Sequence, residues 1–236
     1  MLNLVGAPRR PEIDEYAIKF LIGLIAFLLP AIELALTRGG ITSISQSFWV
    51  HPEFWRTQGL WTRNVFVGLL FAIAGLLLTY NGKNEDEMWL TKLASLAALL
   101  IAMFPCGCDP AGAPEILSHV HVAAAAAMFL VLAIFCAIFR HRAYAKGHRE
   151  ARWRGRIYTA CGIGMLVSLA LFIPGIVADP RRILWAETIG LLSFSFSWLT
   201  ASHVLPGLND AGERKHLFGD KRTPQPAHGR GIARLT

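Results

Sequence analysis

The chain has 236 residues, 54% of them hydrophobic and 17% charged, with a formal net charge of +7. A soluble domain carries about a quarter charged residues and breaks its apolar runs well before the roughly 20 residues that cross a bilayer. Neither holds here, which excludes a soluble enzyme, a disordered protein and a disulfide-stapled secreted domain; the basic surplus points to cytoplasmic loops rather than to nucleic acid.

Six apolar stretches predict six transmembrane helices and no barrel: an all-α, polytopic bundle. In chain order they are Ala17–Thr37, Asn64–Tyr80, Trp89–Phe104, His119–Phe139, Ile157–Ala178 and Leu184–Val204. Residues 1–16 read as a cytoplasmic N-terminal segment, 17–204 as the membrane domain and 205–236 as a basic, disordered tail. The first stretch follows Glu12, Asp14 and Glu15 rather than a basic region, so it is expected to be an uncleaved helix. Cys136 and Cys161 fall inside apolar runs and read as small core residues.

Basic residues decide the orientation. With the N-terminus inside, the inner segments hold Arg9, Arg10, Lys83, Lys92, seven residues from Arg140 to Arg156 and six from Arg214 to Arg234. The outer segments hold only Arg38, Arg56, Arg63, Arg181 and Arg182. Both termini are therefore expected in the cytoplasm, with the chain in a bacterial inner membrane and the lipid bilayer as its first partner.

That topology gathers the ionisable residues at the outer end and leaves the inner half almost wholly apolar. Glu33 and Glu187 lie about one turn inside the first and last helices, His119 and His121 open the fourth, Arg63 starts the second and Asp109 follows the third. The outer loop adds Ser43 and Ser45. Buried polar side chains in a membrane mark function by default, so these eight residues outline an outward-facing pocket. Pairing of the two carboxylates with Arg38, Arg63 or Arg182 is the structural alternative. Ser118 is placed as the N-cap of the fourth helix. Residues two apart on a helix point about 200° away from each other, so one histidine rather than both is expected in the pocket. In the last helix Glu187, Gly190, Ser193, Ser197 and Ala201 share a stripe expected to face the interior.

Cys106 and Cys108, with His119 and His121, have the chemistry of a weak copper or zinc site. The alternatives are a tight turn with incidental cysteines or, in an oxidising periplasm, a disulfide. No cofactor is assigned.

Asn64-Val-Phe-Val-Gly, Tyr80-Asn-Gly, Met103-Phe-Pro, His119 opening an Ala- and Phe-rich helix, and Glu187 to Trp198 together resemble an uncharacterised bacterial family of six-span inner-membrane proteins. That family is similar in layout to the DRAM/Sfk-like membrane proteins. The resemblance covers about Ser43 to Trp198 and implies a six-helix fold and an inner-membrane address, without an established chemistry. More distantly, Ser43 or Ser45, Asp109, His119 and His121 resemble the residue types that alkaline-ceramidase-like hydrolases place around zinc, although the HxxxH of that family's last helix is missing.

Three functions follow. The first is a binding or accessory membrane protein whose outer pocket takes a lipid-like or small amphiphilic ligand. The second is an intramembrane hydrolase or transferase acting on lipid-like substrates at the outer leaflet. The third, a transporter, is disfavoured by the apolar inner half.

Overall fold

Asp14 accepts the Tyr16 N–H and opens α1 (Glu15–Leu36), the first of six long helices in the computed structural model. The described residues are 14–49, 59–108, 114–173, 178–179, 181–210 and 212–213. A short 3-10 helix (Ile44–Phe48) follows, then α2 (Gly59–Thr79), α3 (Glu85–Met103), α4 (Glu115–Ala145), α5 (Arg149–Leu171) and α6 (Arg182–Ala201). No strand occurs among the described residues.

Four helices, α1, α2, α4 and α6, are long and apolar enough to cross a membrane. The other two carry charge in their first turns: Glu85, Asp86 and Glu87 in α3, and Arg149, Glu150, Arg152 and Arg154 in α5. Lys92 of α3 reaches back to the Leu78 carbonyl and to Asn81 Oδ1 (3.0 Å). Its ammonium thereby caps the negative end of α2.

Each helix packs against its neighbour in the chain, and α6 closes onto α1. The six form a ring in chain order whose members alternate in direction. The ring's exterior is apolar, with Phe27, Phe71, Leu96, Leu130, Ile163 and Phe196 all exposed. Inside, Trp198 is fully buried against Tyr80, Phe135, Phe139 and Phe194, at centroid distances of 5.4 to 6.0 Å. This aromatic plug separates two polar ends.

Several expected boundaries move. α4 begins at Glu115, so Ser118 lies within the helix and is not its N-cap. With 31 residues, α4 is about 46 Å long and exceeds a hydrocarbon core of about 30 Å. Arg140, Arg142, Arg149, Arg152 and Arg154 therefore sit on helix ends rather than in a loop. α5 starts eight residues before the apolar run at Ile157 and ends at Leu171, short of the expected Ala178. The tail expected from 205 does not start there: Arg154 donates to the Leu208 carbonyl (3.1 Å) and to Asn209 Oδ1 (2.6 Å), which folds residues 205–210 onto α5.

The end expected to face the cytoplasm, called the inner end from here on, is also not apolar. Glu87, buried to 1% exposure, receives two hydrogen bonds from Arg142, one of them at 2.9 Å. Arg154 is buried to the same degree and pairs with Glu213 at 2.7 Å. Lys19 is buried as well. The case against transport drawn from an apolar inner half does not stand; the aromatic plug is the feature that separates the ends.

Candidate functional site

The opposite end, expected to face outward and called the outer end from here on, is organised by the 3-10 helix, an element without a hydrophobic period to announce it. Gln46 N–H donates to the Ser43 carbonyl (3.1 Å) and closes its first turn, while the Gln46 side chain accepts the Thr42 N–H (2.9 Å). The first N–H groups of any helix lack internal acceptors. Ser43 does not cap them with its own hydroxyl. The acceptor comes from α6.

Glu187 is 7% exposed, and its carboxylate takes donors from Ser43, Ile44 and Ser45. Ser43 Oγ–H donates at 2.9 to 3.0 Å, Ser45 N–H at 3.2 Å, Ser45 Oγ at 2.5 Å, and Ile44 N–H makes a further short bond. In return the Thr42 carbonyl accepts the Leu184 N–H (3.1 Å), an orphan of the first turn of α6. Two helix starts thus complete one another.

His121, on α4, extends the array. Its Nε2 lies 3.1 Å from Ser45 Oγ and its Nδ1 lies 2.8 Å from the Phe104 carbonyl oxygen. A carbonyl only accepts, so Nδ1 carries a proton. Two links remain, Nε2 to Oγ and Oγ to Oε1 of Glu187, and Ser45 has one proton to give. It serves one of them, and the Ser45 hydroxyl thus stands between the Glu187 carboxyl and the His121 imidazole in one hydrogen-bonded chain.

The other expected members gather around the same 3-10 helix in different ways. Glu33 is fully buried, and among the described residues neither of its oxygens has a partner within hydrogen-bond geometry. Ser47 Oγ, also buried, is the polar group near enough to bear on that carboxyl. Arg63 stacks over the Phe48 ring at 4.5 Å and pairs with neither carboxylate among the described residues. His119 is exposed while His121 is buried, as residues two apart require. Asp109 lies outside the described residues. Of the α6 stripe, Glu187, Gly190, Ser197 and Ala201 are buried and Ser193 is half-buried.

Cys106 and Cys108 are joined in a disulfide, with Cα atoms 5.2 Å apart. A disulfide offers no thiolate to a metal. No group of three or more His, Cys, Asp or Glu among the described residues is placed to hold one. Cys106 instead braces the site: its sulfur lies 3.4 Å from the Ser45 carbonyl oxygen, and its own carbonyl accepts the Trp49 indole N–H at 3.1 Å. Gly107 fits because a Cβ there would fall 2.5 Å from Ser118 Oγ.

Below the array, at the centre of the ring, is a cavity of about 60 Å³. Its walls include Leu29, Phe66, Ile73, Met128, Phe129 and Phe194, and its polar lining among the described residues is Ser45 and Glu187. In the measure by which one water needs about 10 to 15 Å³, it holds a segment of about four or five heavy atoms. Composition and placement of polar residues pointed to Glu187 and His121; the link through Ser45 and the capping of Ile44 had no sequence signal, since both depend on a turn bringing the outer loop under α6. No protein-family model, curated protein or solved structure matches the chain.

Proposed function

We propose that the chain is a six-span inner-membrane protein, with both termini cytoplasmic, that binds the apolar end of a small amphiphile in its central cavity. One observation carries this reading: an apolar chamber closed at its outer end by Ser45 and Glu187. Apolar walls supply affinity, and a few polar groups orient the ligand. Ser45, with His121 behind it, would meet the ligand's hydroxyl or carbonyl.

Six spans are supported by α3 and α5 standing in the ring between the four apolar helices. Trp61 and Trp185 near the outer end, with Trp89 and Trp153 near the inner, are about half or more exposed, as interfacial tryptophans are. The orientation is supported by the outer disulfide, which suits an oxidising compartment, and by the basic ends of α4 and α5. The likeness to the six-span family with DRAM/Sfk-like layout agrees with the same address.

Native mass spectrometry of the protein released from lipid nanodiscs tests the reading. Wild-type protein should retain an amphiphile that Ala125→Phe, which fills the cavity, does not. Equal retention by both, or none by either, overturns it. A cytoplasm-active reporter fused after Thr236 should give signal, and a periplasm-active one should not.

The hydrolase reading draws on one feature, the Ser45 hydroxyl within reach of His121, a nucleophile beside a base. Against it, the Ile44 and Ser45 N–H groups that would hold an oxyanion are already given to Glu187. Failure of a fluorophosphonate probe to label Ser45 is the expected result.

A further inference from the structure

At the inner end, on the far side of the aromatic plug, the helices enclose a second cavity of about 70 Å³. Its character is opposite to that of the first. Five cationic side chains line it: Lys19 from α1, Lys83 from the turn before α3, Arg142 and Lys146 from the end of α4, and Arg154 from α5. Three carboxylates answer them. Glu87 is held by Arg142, Glu213 is divided between Arg154 (2.7 Å) and Lys146 (2.6 Å), and Glu15 lies 3.5 Å from Lys19. Two positive charges are left over.

Lys19 is the least satisfied of the five. It is only 4% exposed, and its ammonium has three protons to donate. Its one ion pair is the long contact with Glu15, and beyond that it rests over the rings of Tyr16 (5.0 Å) and Tyr80 (5.1 Å). Glu15 is itself 38% exposed at its side chain and shares its field with water. Lys83 has no carboxylate partner among the described residues. His203, which follows α6, also lines the cavity; burial pushes its imidazole down to about 4, and the charges of Arg154 and Lys146 add to the effect.

We propose that this inner cavity is a binding site for a phosphate group, held by Lys19, Lys83 and Arg142. A tetrahedral phosphate has five heavy atoms, which matches the space available. Its charge neutralises the two unanswered cations, and its oxygens accept the free protons of Lys19. Arg142 keeps one face of its guanidinium on Glu87 and serves as an electrostatic wall. Basic pockets between helices on the cytoplasmic side of a membrane are suited to anionic headgroups. The same chemistry is offered by a phospholipid of the facing leaflet and by free phosphate, and the test separates them.

Purified protein is titrated with inorganic phosphate, with chloride as control, and followed by thermal unfolding. In parallel, nanodiscs of phosphatidylglycerol and of phosphatidylcholine are compared by native mass spectrometry. Stabilisation by phosphate assigns a soluble ligand; retention of phosphatidylglycerol alone assigns a headgroup. Lys19→Met keeps the stem and removes the ammonium, and should weaken the response at least tenfold, with Lys19→Arg restoring most of it. Should Lys19→Met fail to fold, the exposed Lys83→Gln substitutes for it, with an expected loss of about threefold. No response to phosphate and no preference for phosphatidylglycerol, or a response that neither variant changes, overturns the proposal.

Discussion

The two ends of the ring bury carboxylates by different means. At the outer end Glu187 is satisfied by hydroxyls and backbone N–H groups, and no cation among the described residues touches it. At the inner end Glu87 and Glu213 are satisfied by Arg142, Arg154 and Lys146. The first arrangement needs a particular backbone turn, and its donors are all uncharged hydroxyls and backbone N–H groups. The second tolerates varied backbone but accumulates cations beyond what the carboxylates answer. An apolar ligand suits the outer end and an anionic one the inner end.

The difference predicts how each end fails. Arg142→Met leaves Glu87 buried without its cation and should destabilise the protein most, by about 3 to 5 kcal/mol in thermal unfolding. Changing Glu87 to Leu in the same chain should recover much of that loss. If it does not, the inner end is held by something other than its ion pairs. Glu187→Leu strands the Ser43, Ile44 and Ser45 donors and should cost about 2 to 4 kcal/mol, whereas Glu187→Gln, which keeps one acceptor oxygen, should cost less. Equal, near-wild-type stability of both variants would mean that the 3-10 helix does not depend on α6.

His121→Phe should cost about 1 to 3 kcal/mol, because the Phe104 carbonyl loses its donor while Ser45 keeps Glu187. Binding at the central cavity should fall with it, measured by retention in nanodiscs. The smallest effect belongs to Glu213. Burial raises its carboxyl, but hydrogen bonds and charges from Lys146 and Arg154 outweigh that and hold it at about 2. A depressed carboxylate contributes stability above its unfolded value of about 4.3, and that contribution is lost as the pH falls toward 2. Glu213→Gln should flatten this acid limb by about 1 kcal/mol or less, since the group is partly exposed.

What the sequence made legible follows from what hydropathy measures. Six helices were readable because each carries an apolar run, and Glu187 and His121 because polar residues in such runs are rare. Helix ends in water were not: Arg149 to Arg156 are polar and read as a loop, yet a helix continues through them because α4 packs alongside. For the same reason Arg142 and Arg154 were counted only as cations of an inner segment and Glu87 was not singled out, so the ion pair between Glu87 and Arg142 was missed. Opposite charges in the first turn of α3 and the last turn of α4 were the available signal. Arg63, one of three arginines offered as partners for the carboxylates in the structural alternative, meets Phe48 instead, because the 3-10 helix places an aromatic ring beside it.

The seam between α1 and α6 has a consequence for how the protein is made. Ser195 Oγ donates to the Gly23 carbonyl at 2.8 Å, and a Cβ on Gly23 would fall 2.8 Å from the Leu199 backbone nitrogen. No other helix in the ring offers α1 this contact, and α6 leaves the ribosome last. Until then the face of α1 around Gly23 has no closing partner. A nascent chain stopped anywhere before α6 leaves that notch unfilled and the ring open at its seam.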